Sequence, residues 1–319
     1  MGKYVFGVDV GGTTVKMGLF SSDGNLLKKW EIPTRTQNHG EEILPDVAAS
    51  IMDAMTEAGI SKDEVLGVGI DSPGLVDDKG IVRGAVNLNW EIVNIPEVLG
   101  QMLDLPVRAG NDGNIAAYGE MLQGGGKGHK NIVMVTLGTG VGGAIITNGQ
   151  ILTGAIGAGG EIGHIHIEDN ETDACGCGCM GCLEQYASAT GISKLARKHL
   201  AASDKASVLR EYDKVTARHV FDAVKENDAL AIEIAQDFGN YLGKGLAIVA
   251  AMVNPEVFVI GGGVSKAGEV LFDYIRPMFE KYTFSSIKNT QFKLAELGND
   301  AGIYGAAGLI LENSYMRQG

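Results

Sequence analysis

All four cysteines of this 319-residue chain fall in one stretch, CGCGCMGCLE, as Cys175, Cys177, Cys179 and Cys182, with Glu184 closing it. A structural zinc site takes four nitrogen or sulfur donors in a tetrahedron. Four ligands drawn from eight consecutive residues would crowd the backbone severely, whereas three cysteines joined by a histidine from a neighbouring loop are feasible. His164 precedes Cys175 by eleven residues, a reasonable loop. His166 competes for the role, although it alternates as a strand residue. Gly176, Gly178 and Gly181 permit the backbone reversals that such a knuckle needs. The Cys-x-Cys-x-Cys spacing matches no common ferredoxin run, and a Cys-x-Cys disulfide is strained. In a chain read as cytoplasmic, clustered cysteines are metal ligands before they are disulfides.

Glycine-rich turns form the second chemical signal. DVGGTTVK (9–16) puts an acid at a strand end, two glycines in the turn and two hydroxyl residues next. Backbone N–H groups of such a turn cradle phosphates, Thr13 can donate to one, and Asp9 can hold the water shell of Mg²⁺. The spacing is not that of a Walker A loop. Taken alone, the segment also reads as an ordinary tight hairpin. LGTGVGG (137–143) and IGGG (260–263) likewise follow apolar strands. Three such loops at strand C-terminal ends resemble the ATPase domain shared by actin, Hsp70 chaperones and sugar kinases. That resemblance implies two loops on the phosphates and a third glycine patch, Gly261 to Gly263, under the adenosine.

AGNDGNIAA (109–117) places Asn111 and Asp112 just before a helix. Asp112 there is either the helix cap or a general base aimed at a substrate hydroxyl, since phosphoryl transfer to an alcohol requires a proton acceptor. The strand-to-helix corner is compatible with both roles.

The elements that position these groups follow from periodicity. YVFGVDV (4–10), VKMGLF (15–20) and NLLKKWEI read as strands around glycine turns, followed by a helix over 43–58 and the strand VLGVGID (65–71). NIVMVTL (131–137), AIIT and QIL repeat the same order half a chain later, which predicts two related α/β halves. Ile234, Phe238, Leu242, Leu246 and Val249 mark a long helix ended by Pro255. No Pro- or Ser-rich linker separates the halves, and a boundary is expected near residue 112: a smaller α/β domain of 1–112 with 300–319, and a larger one of 113–299. Thirty-nine acidic against 26 basic residues give a net charge of −13, which argues against a nucleic-acid partner. No secretory signal is apparent, and the most apolar stretch (245–264) is broken by Asn254-Pro255-Glu256, so no membrane span is expected. A cytoplasmic enzyme or binding protein is the reading.

Cys175-x-Cys177-Gly178-x-x-Gly181-Cys182-x-Glu184, with Glu161-x-x-His164 upstream and DVGGT at the start, resembles the ROK family of bacterial sugar kinases and repressors over essentially the whole chain. Within it the likeness is to Gram-positive-type glucokinases. The resemblance implies a two-domain actin-like ATPase (ribonuclease H-like) fold with an interdomain cleft and a small zinc knuckle. It implies zinc on His164, Cys175, Cys177 and Cys182, leaving Cys179 at a variable position. It places Glu161, His164 and Glu184 on sugar hydroxyls, Asn111 and Asp112 at the reacting end with Asp112 as base, and Gly74 and Asn87 beside the sugar. Mg·ATP is expected at Asp9 and at Gly11, Gly12, Thr13, Thr14, Lys16, Gly138, Thr139, Gly140, Gly261, Gly262, Gly263 and Asn299. The implied reaction is phosphorylation of glucose at O6 in a homodimer or homotetramer, the alternatives being mannose, N-acetylmannosamine, allose or fructose as acceptor. A sugar-sensing repressor is disfavoured, because the phosphate loop begins at residue 9 and leaves no room for an N-terminal helix-turn-helix.

Overall fold

The computed structural model of the protein describes residues 2–316. Two compact units are formed. The first takes the chain up to Gly128, the segment Ile151–Gly159 and everything from Glu296 onward; the second takes His129–Gln150 and Gly160–Ala295.

In the first unit, β1 (Tyr4–Val10), β2 (Thr14–Ser21) and β3 (Leu26–Pro33) run antiparallel around two tight turns. Helix α1 (Ile43–Ala58) returns the chain to β4 (Val65–Ser72), which pairs parallel with β1. β5 (Leu75–Val76), β6 (Ile81–Ala85) and β7 (Trp90–Asn94) make a small separate sheet. Helix α2 (Ile95–Leu103) then leads to β8 (Val107–Asn111), parallel to β4, and α3 (Asp112–Gln123) follows directly. The main sheet has the order β3-β2-β1-β4-β8. Its central strands are covered on both faces, which is why they read as apolar runs rather than alternating ones. Phe6, Val8, Val68 and Ile70 pack with Val47 and Ile51 of α1. Val5 and Phe20 pack against Ile303, Ala307 and Ile310 of the C-terminal helix Ala301–Met316.

Close approach of that helix depends on missing side chains. A Cβ on Gly69 would collide with the carbonyl oxygen of Ala306, and one on Gly305 with that of Ile115. The second contact corrects the expected boundary near residue 112. Helix α3 lies against the C-terminal helix, so residues 113–128 belong to the first unit, and Asn299 joins them.

The second unit repeats the plan. β9 (Ile132–Leu137) and β10 (Val141–Thr147) form an antiparallel hairpin continued by β11 (Gln150–Ile151). Next come α4 (Glu184–Ala187), α5 (Ala189–Ala202), α6 (Ala217–Lys225) and α7 (Ala229–Val253). β12 (Val257–Gly261), α8 (Val270–Tyr282) and β13 (Gln291–Leu294) complete it, with the order β11-β10-β9-β12-β13. The common order, hairpin first and parallel strands after, is the internal repeat read from the sequence. Asp228 caps α7 through the Leu230 and Ala231 N–H groups, and Asn254 ends it in the left-handed region just before Pro255. Among the described residues, no helix is long and apolar enough to cross a membrane.

Candidate active site

Three carboxylates gather where the parallel strands of the first unit end. Asp9 is the penultimate residue of β1 and pairs in register with Asp71, the penultimate residue of β4. Asp112 begins α3 just beyond β8. A Cβ on Gly302 would lie 2.7 Å from Asp71 Oδ2 and 2.8 Å from the Asp9 carboxyl carbon, so the C-terminal helix backs this pair closely. Asp71 is fully buried; its Oδ1 accepts the Val10 N–H at 3.2 Å. Burial, followed by repulsion from Asp9 and Asp112, holds Asp71 well above the usual carboxylate range.

Asn111, not Asp112, caps α3: its Oδ1 accepts the Asn114 N–H at 3.1 Å, and its Nδ2 donates to the Gly74 carbonyl at 3.0 Å and to Asp112 Oδ1 at 2.9 Å. This leaves the Asp112 carboxylate available for chemistry. It accepts the Gly113 N–H at 2.8 Å and is exposed by surface area, yet protein atoms crowd it at longer range. That desolvation raises its pKa; the Gly113 N–H opposes the shift, and Asp9 adds to it by repulsion. A carboxylate so tuned is a better proton acceptor than a free one.

The turn between β1 and β2 closes with the Gly11 N–H on the Thr14 carbonyl at 3.0 Å, exposing Gly12 and Thr13. Lys16, opposite Asp9 in the hairpin, reaches Asp9 Oδ2 at 3.2 Å and the Asn299 carbonyl at 3.1 Å. Asn87 is exposed, with its Cβ 3.5 Å from where a side chain on Gly12 would begin. Asp9, Gly12, Lys16, Asn87 and Asn299 therefore form one neighbourhood.

The second unit holds the matching hairpin turn, closed by the Gly138 N–H on the Gly140 carbonyl at 3.0 Å with Thr139 exposed. The Gly138 carbonyl in turn accepts the Ala189 N–H at 2.8 Å, which fixes the start of α5 beside this turn. A cavity of about 470 Å³ lies nearby, lined by Ala189, Thr216, Arg218, Asp222, Gly263 and Lys266 among others. Of the third glycine patch, Gly263 lines it; Gly261 is buried in β12 against Met134, and Gly262 packs over Leu137.

The donor atoms of His164, Cys175, Cys177 and Cys182 all lie within 4.8 Å of one another. Cys177 and Cys182 sulfurs are 3.6 Å apart, and Cys175 Sγ is 3.8 Å from His164 Nδ1. Tetrahedral zinc with bonds of about 2.3 Å sets sulfurs about 3.8 Å apart, so the set fits that ion. His166 is turned away, with Nδ1 2.9 Å from the Met180 carbonyl and Nε2 2.8 Å from Asp169. Cys179 uses its carbonyl to accept the Cys175 N–H at 2.7 Å, and its exposed thiol lies beside that of Cys177, outside the four-donor group. Gly178 and Gly181 take positive φ of 88° and 73°, as the expected reversals require, while Gly176 sits without positive φ inside the turn that the Gly178 N–H closes on the Cys175 carbonyl at 2.8 Å. Burial pushes the Cys175 thiol up, while the Cys179 backbone N–H draws Cys177 down to about 7.

Glu184 opens α4 and joins this cluster to the hairpin turn. Its Oε1 accepts from the Cys175 thiol at 2.9 Å and lies 4.0 Å from His164 Nδ1; its Oε2 accepts the Val141 N–H at 3.4 Å. Glu161 is exposed at the start of the short turn Ile162–His164 that carries His164.

Sequence reasoning overlooked Asp71 and Glu171. Asp71 had a readable signal, an acid closing the apolar run VLGVGID as Asp9 closes VFGVDV. Glu171 is buried, accepts the Tyr186 hydroxyl at 2.6 Å and Lys194 Nζ at 2.9 Å, and thereby ties the knuckle to α4 and α5. The Tyr186 hydrogen bond is the largest cause holding its carboxyl near 2. A depressed folded-state pKa contributes stability that is complete above the unfolded value and fades as pH falls toward about 2. Glu171→Gln is therefore expected to lower Tm at pH 7 by about 2–4 °C per kcal/mol lost, with the gap to the parent narrowing between pH 4.5 and 3 in thermal melts. An equal gap at both ends would refute the assignment.

Comparison with known proteins agrees with the geometry. A family model described as "ROK family" matches residues 5–313. A glucokinase of Halalkalibacterium halodurans is 42% identical over 313 residues, 97% of this chain and 95% of that protein. A glucokinase of Thermotoga maritima is 38% identical, covering 97% of each. A ROK family glucokinase from Streptomyces griseus, solved in complex with glucose and AMPPNP, is 34% identical with a TM-score of 0.71, over 99% of this chain and 100% of that one.

Proposed function

The chain belongs to the ROK family, and from this we propose that it transfers the γ-phosphoryl group of ATP to O6 of glucose, giving glucose 6-phosphate. One structural observation carries the chemistry: Asn111 satisfies the end of α3 and, with the Gly113 N–H, engages only Oδ1 of Asp112, so that this carboxylate, raised in pKa by burial and by Asp9, keeps its other oxygen for a proton. Relatives 34–42% identical over 96–97% of this chain are glucokinases, and the Streptomyces griseus protein was solved with glucose and an ATP analogue.

In this reading Asp112 accepts the O6 proton as the new O–P bond forms, and the β–γ bridging oxygen of ATP leaves with the departing ADP. The backbone of Gly11 to Thr14 and of Gly138 to Gly140 receives the phosphates. Magnesium supplies charge neutralisation on the phosphates, and Asp9 would hold its water shell while Lys16 keeps Asp9 in place. Gly263 and Asn299 contact the adenosine. Glu161 and Glu184 accept hydrogen bonds from sugar hydroxyls, His164 donates one through the ring nitrogen that faces away from the cysteines, and Asn87 and Gly74 border the sugar. A zinc ion on His164, Cys175, Cys177 and Cys182 would lock the imidazole tautomer and ring orientation, so that the second ring nitrogen meets a hydroxyl. Catalysis rests on positioning and charge stabilisation rather than on covalent chemistry.

The test is a coupled ADP-release assay over a panel of hexoses and N-acetylhexosamines. Glucose is expected to give the highest kcat/KM. A higher value for another sugar reassigns the acceptor, and no turnover with any sugar overturns the kinase reading.

A further inference from the structure

The glycine run Gly124 to Gly126 has no part in the phosphate loops, and it sits where the chain prepares to leave the first unit after Gly128. It folds around one buried acid. Glu120, on the last turn of α3, is 1% exposed. Its Oε2 accepts the Gly125 N–H at 2.8 Å, and its backbone carbonyl accepts the Gly124 and Gly126 N–H groups at 3.1 and 3.0 Å. A Cβ on Gly124 would collide with the Glu120 carboxylate, so the glycine is required by the acid beside it. The same carboxylate also holds the segment by which the chain re-enters the unit. Oε1 accepts the Leu297 N–H at 2.8 Å and the Glu296 N–H at 3.1 Å, and Oε2 shares the Glu296 N–H at 3.0 Å.

Three backbone N–H groups on one buried carboxylate form a built contact rather than a chance one. What it aligns is chemical. Helix α3 carries Asp112 at its other end. The segment beginning at Glu296 carries Asn299, whose carbonyl holds Lys16, which holds Asp9. We propose that Glu120 is a positioning residue for the phosphoryl transfer: it keeps the nucleotide-side group of Asp9, Lys16 and Asn299 in register with the proton acceptor Asp112.

This rests on the kinase reading above, and the experiment separates the two. Glu120→Gln preserves the side-chain shape but turns an NH₂ toward an N–H donor. Steady-state kinetics of the parent and of this variant are compared, with glucose binding measured separately without nucleotide. In the variant, kcat/KM for Mg·ATP is expected to fall about 10–100-fold, with glucose affinity changed less than about twofold. Glu120→Asp, which keeps the charge at shorter reach, is expected to recover part of the loss. A variant with lowered Tm but parental kinetic constants would show a merely structural role and overturn the proposal; so would equal loss of glucose and nucleotide affinity. If the Gln variant fails to fold, amide exchange on the unmodified protein decides: the Gly125, Glu296 and Leu297 amides should exchange at least about 100-fold more slowly than exposed loop amides, and rates as fast as those of the loops would overturn the assignment. A parent with no turnover on any sugar defeats the kinase reading instead.

Discussion

Asp112→Asn is expected to lower kcat by about 10²–10⁴-fold while glucose binding stays within about threefold of the parent. The substitution is nearly isosteric. The amide oxygen still accepts the Gly113 N–H, and Asn111 still caps α3, so the corner keeps its shape and only the proton acceptor is lost. An interaction needed only as the O–P bond forms shows in kcat rather than in ground-state affinity. Desolvation and the neighbouring Asp9 raise the Asp112 pKa, so in the parent the acid limb of kcat/KM is expected above the ordinary carboxylate range: activity is full when Asp112 is ionised and is lost as pH falls through its raised pKa. Steady-state kinetics from pH 4 to 8 and calorimetric titration with glucose check both parts. A variant turning over within a few-fold of the parent would remove Asp112 from the base role.

Much of this site was legible because chemistry and local geometry coincide in the sequence. A glycine turn after an apolar strand has few foldings, and both predicted turns close as tight hairpins, the longer with the Gly11 N–H on the Thr14 carbonyl and the shorter with the Gly138 N–H on the Gly140 carbonyl. The cysteine spacing admitted more than one donor set. The alternatives separate only when the isolated bridge between His166 and Cys182 is seen to turn the His166 ring outward. That is tertiary information, and no spacing rule contains it.

What stayed hidden was hidden for a physical reason. Glycine-rich turns read as phosphate loops, yet Gly69 and Gly305 serve helix approach, and Gly124 makes room for Glu120. A loop glycine and a packing glycine look alike in one sequence, because both are defined by what touches them. The expected boundary near residue 112 failed similarly. A strand ending in Asn-Asp looks like the close of a domain, but the helix after it is held by a helix nearly two hundred residues later in the chain. Buried acids such as Asp71, Glu120 and Glu171 are invisible to patterning that assigns charge to the surface. Each becomes interpretable through the backbone N–H groups, tyrosine hydroxyl or lysine that it holds.

Removing the proposed zinc site should be as damaging as removing the proposed base, but through a different constant. Cys182→Ser takes away a buried donor whose sulfur lies 3.6 Å from that of Cys177. Metal analysis of the purified parent is expected to find about one zinc per chain, and the variant should retain almost none. Disturbing groups that orient a metal ligand commonly costs about 10–100-fold in activity, and loss of the metal itself should reach at least that. Because Glu184 shares this cluster with His164 and Cys175, the loss should fall on the KM for glucose, with the KM for Mg·ATP little changed. Cys179→Ser is the control: its thiol lies outside the donor set, so zinc content and kinetics should match the parent. The two variants together test the geometry rather than the presence of sulfur. Full activity in a zinc-free Cys182→Ser protein would detach the knuckle from the sugar site, and loss of zinc in Cys179→Ser would mean that the fourth thiol, not His164, completes the tetrahedron.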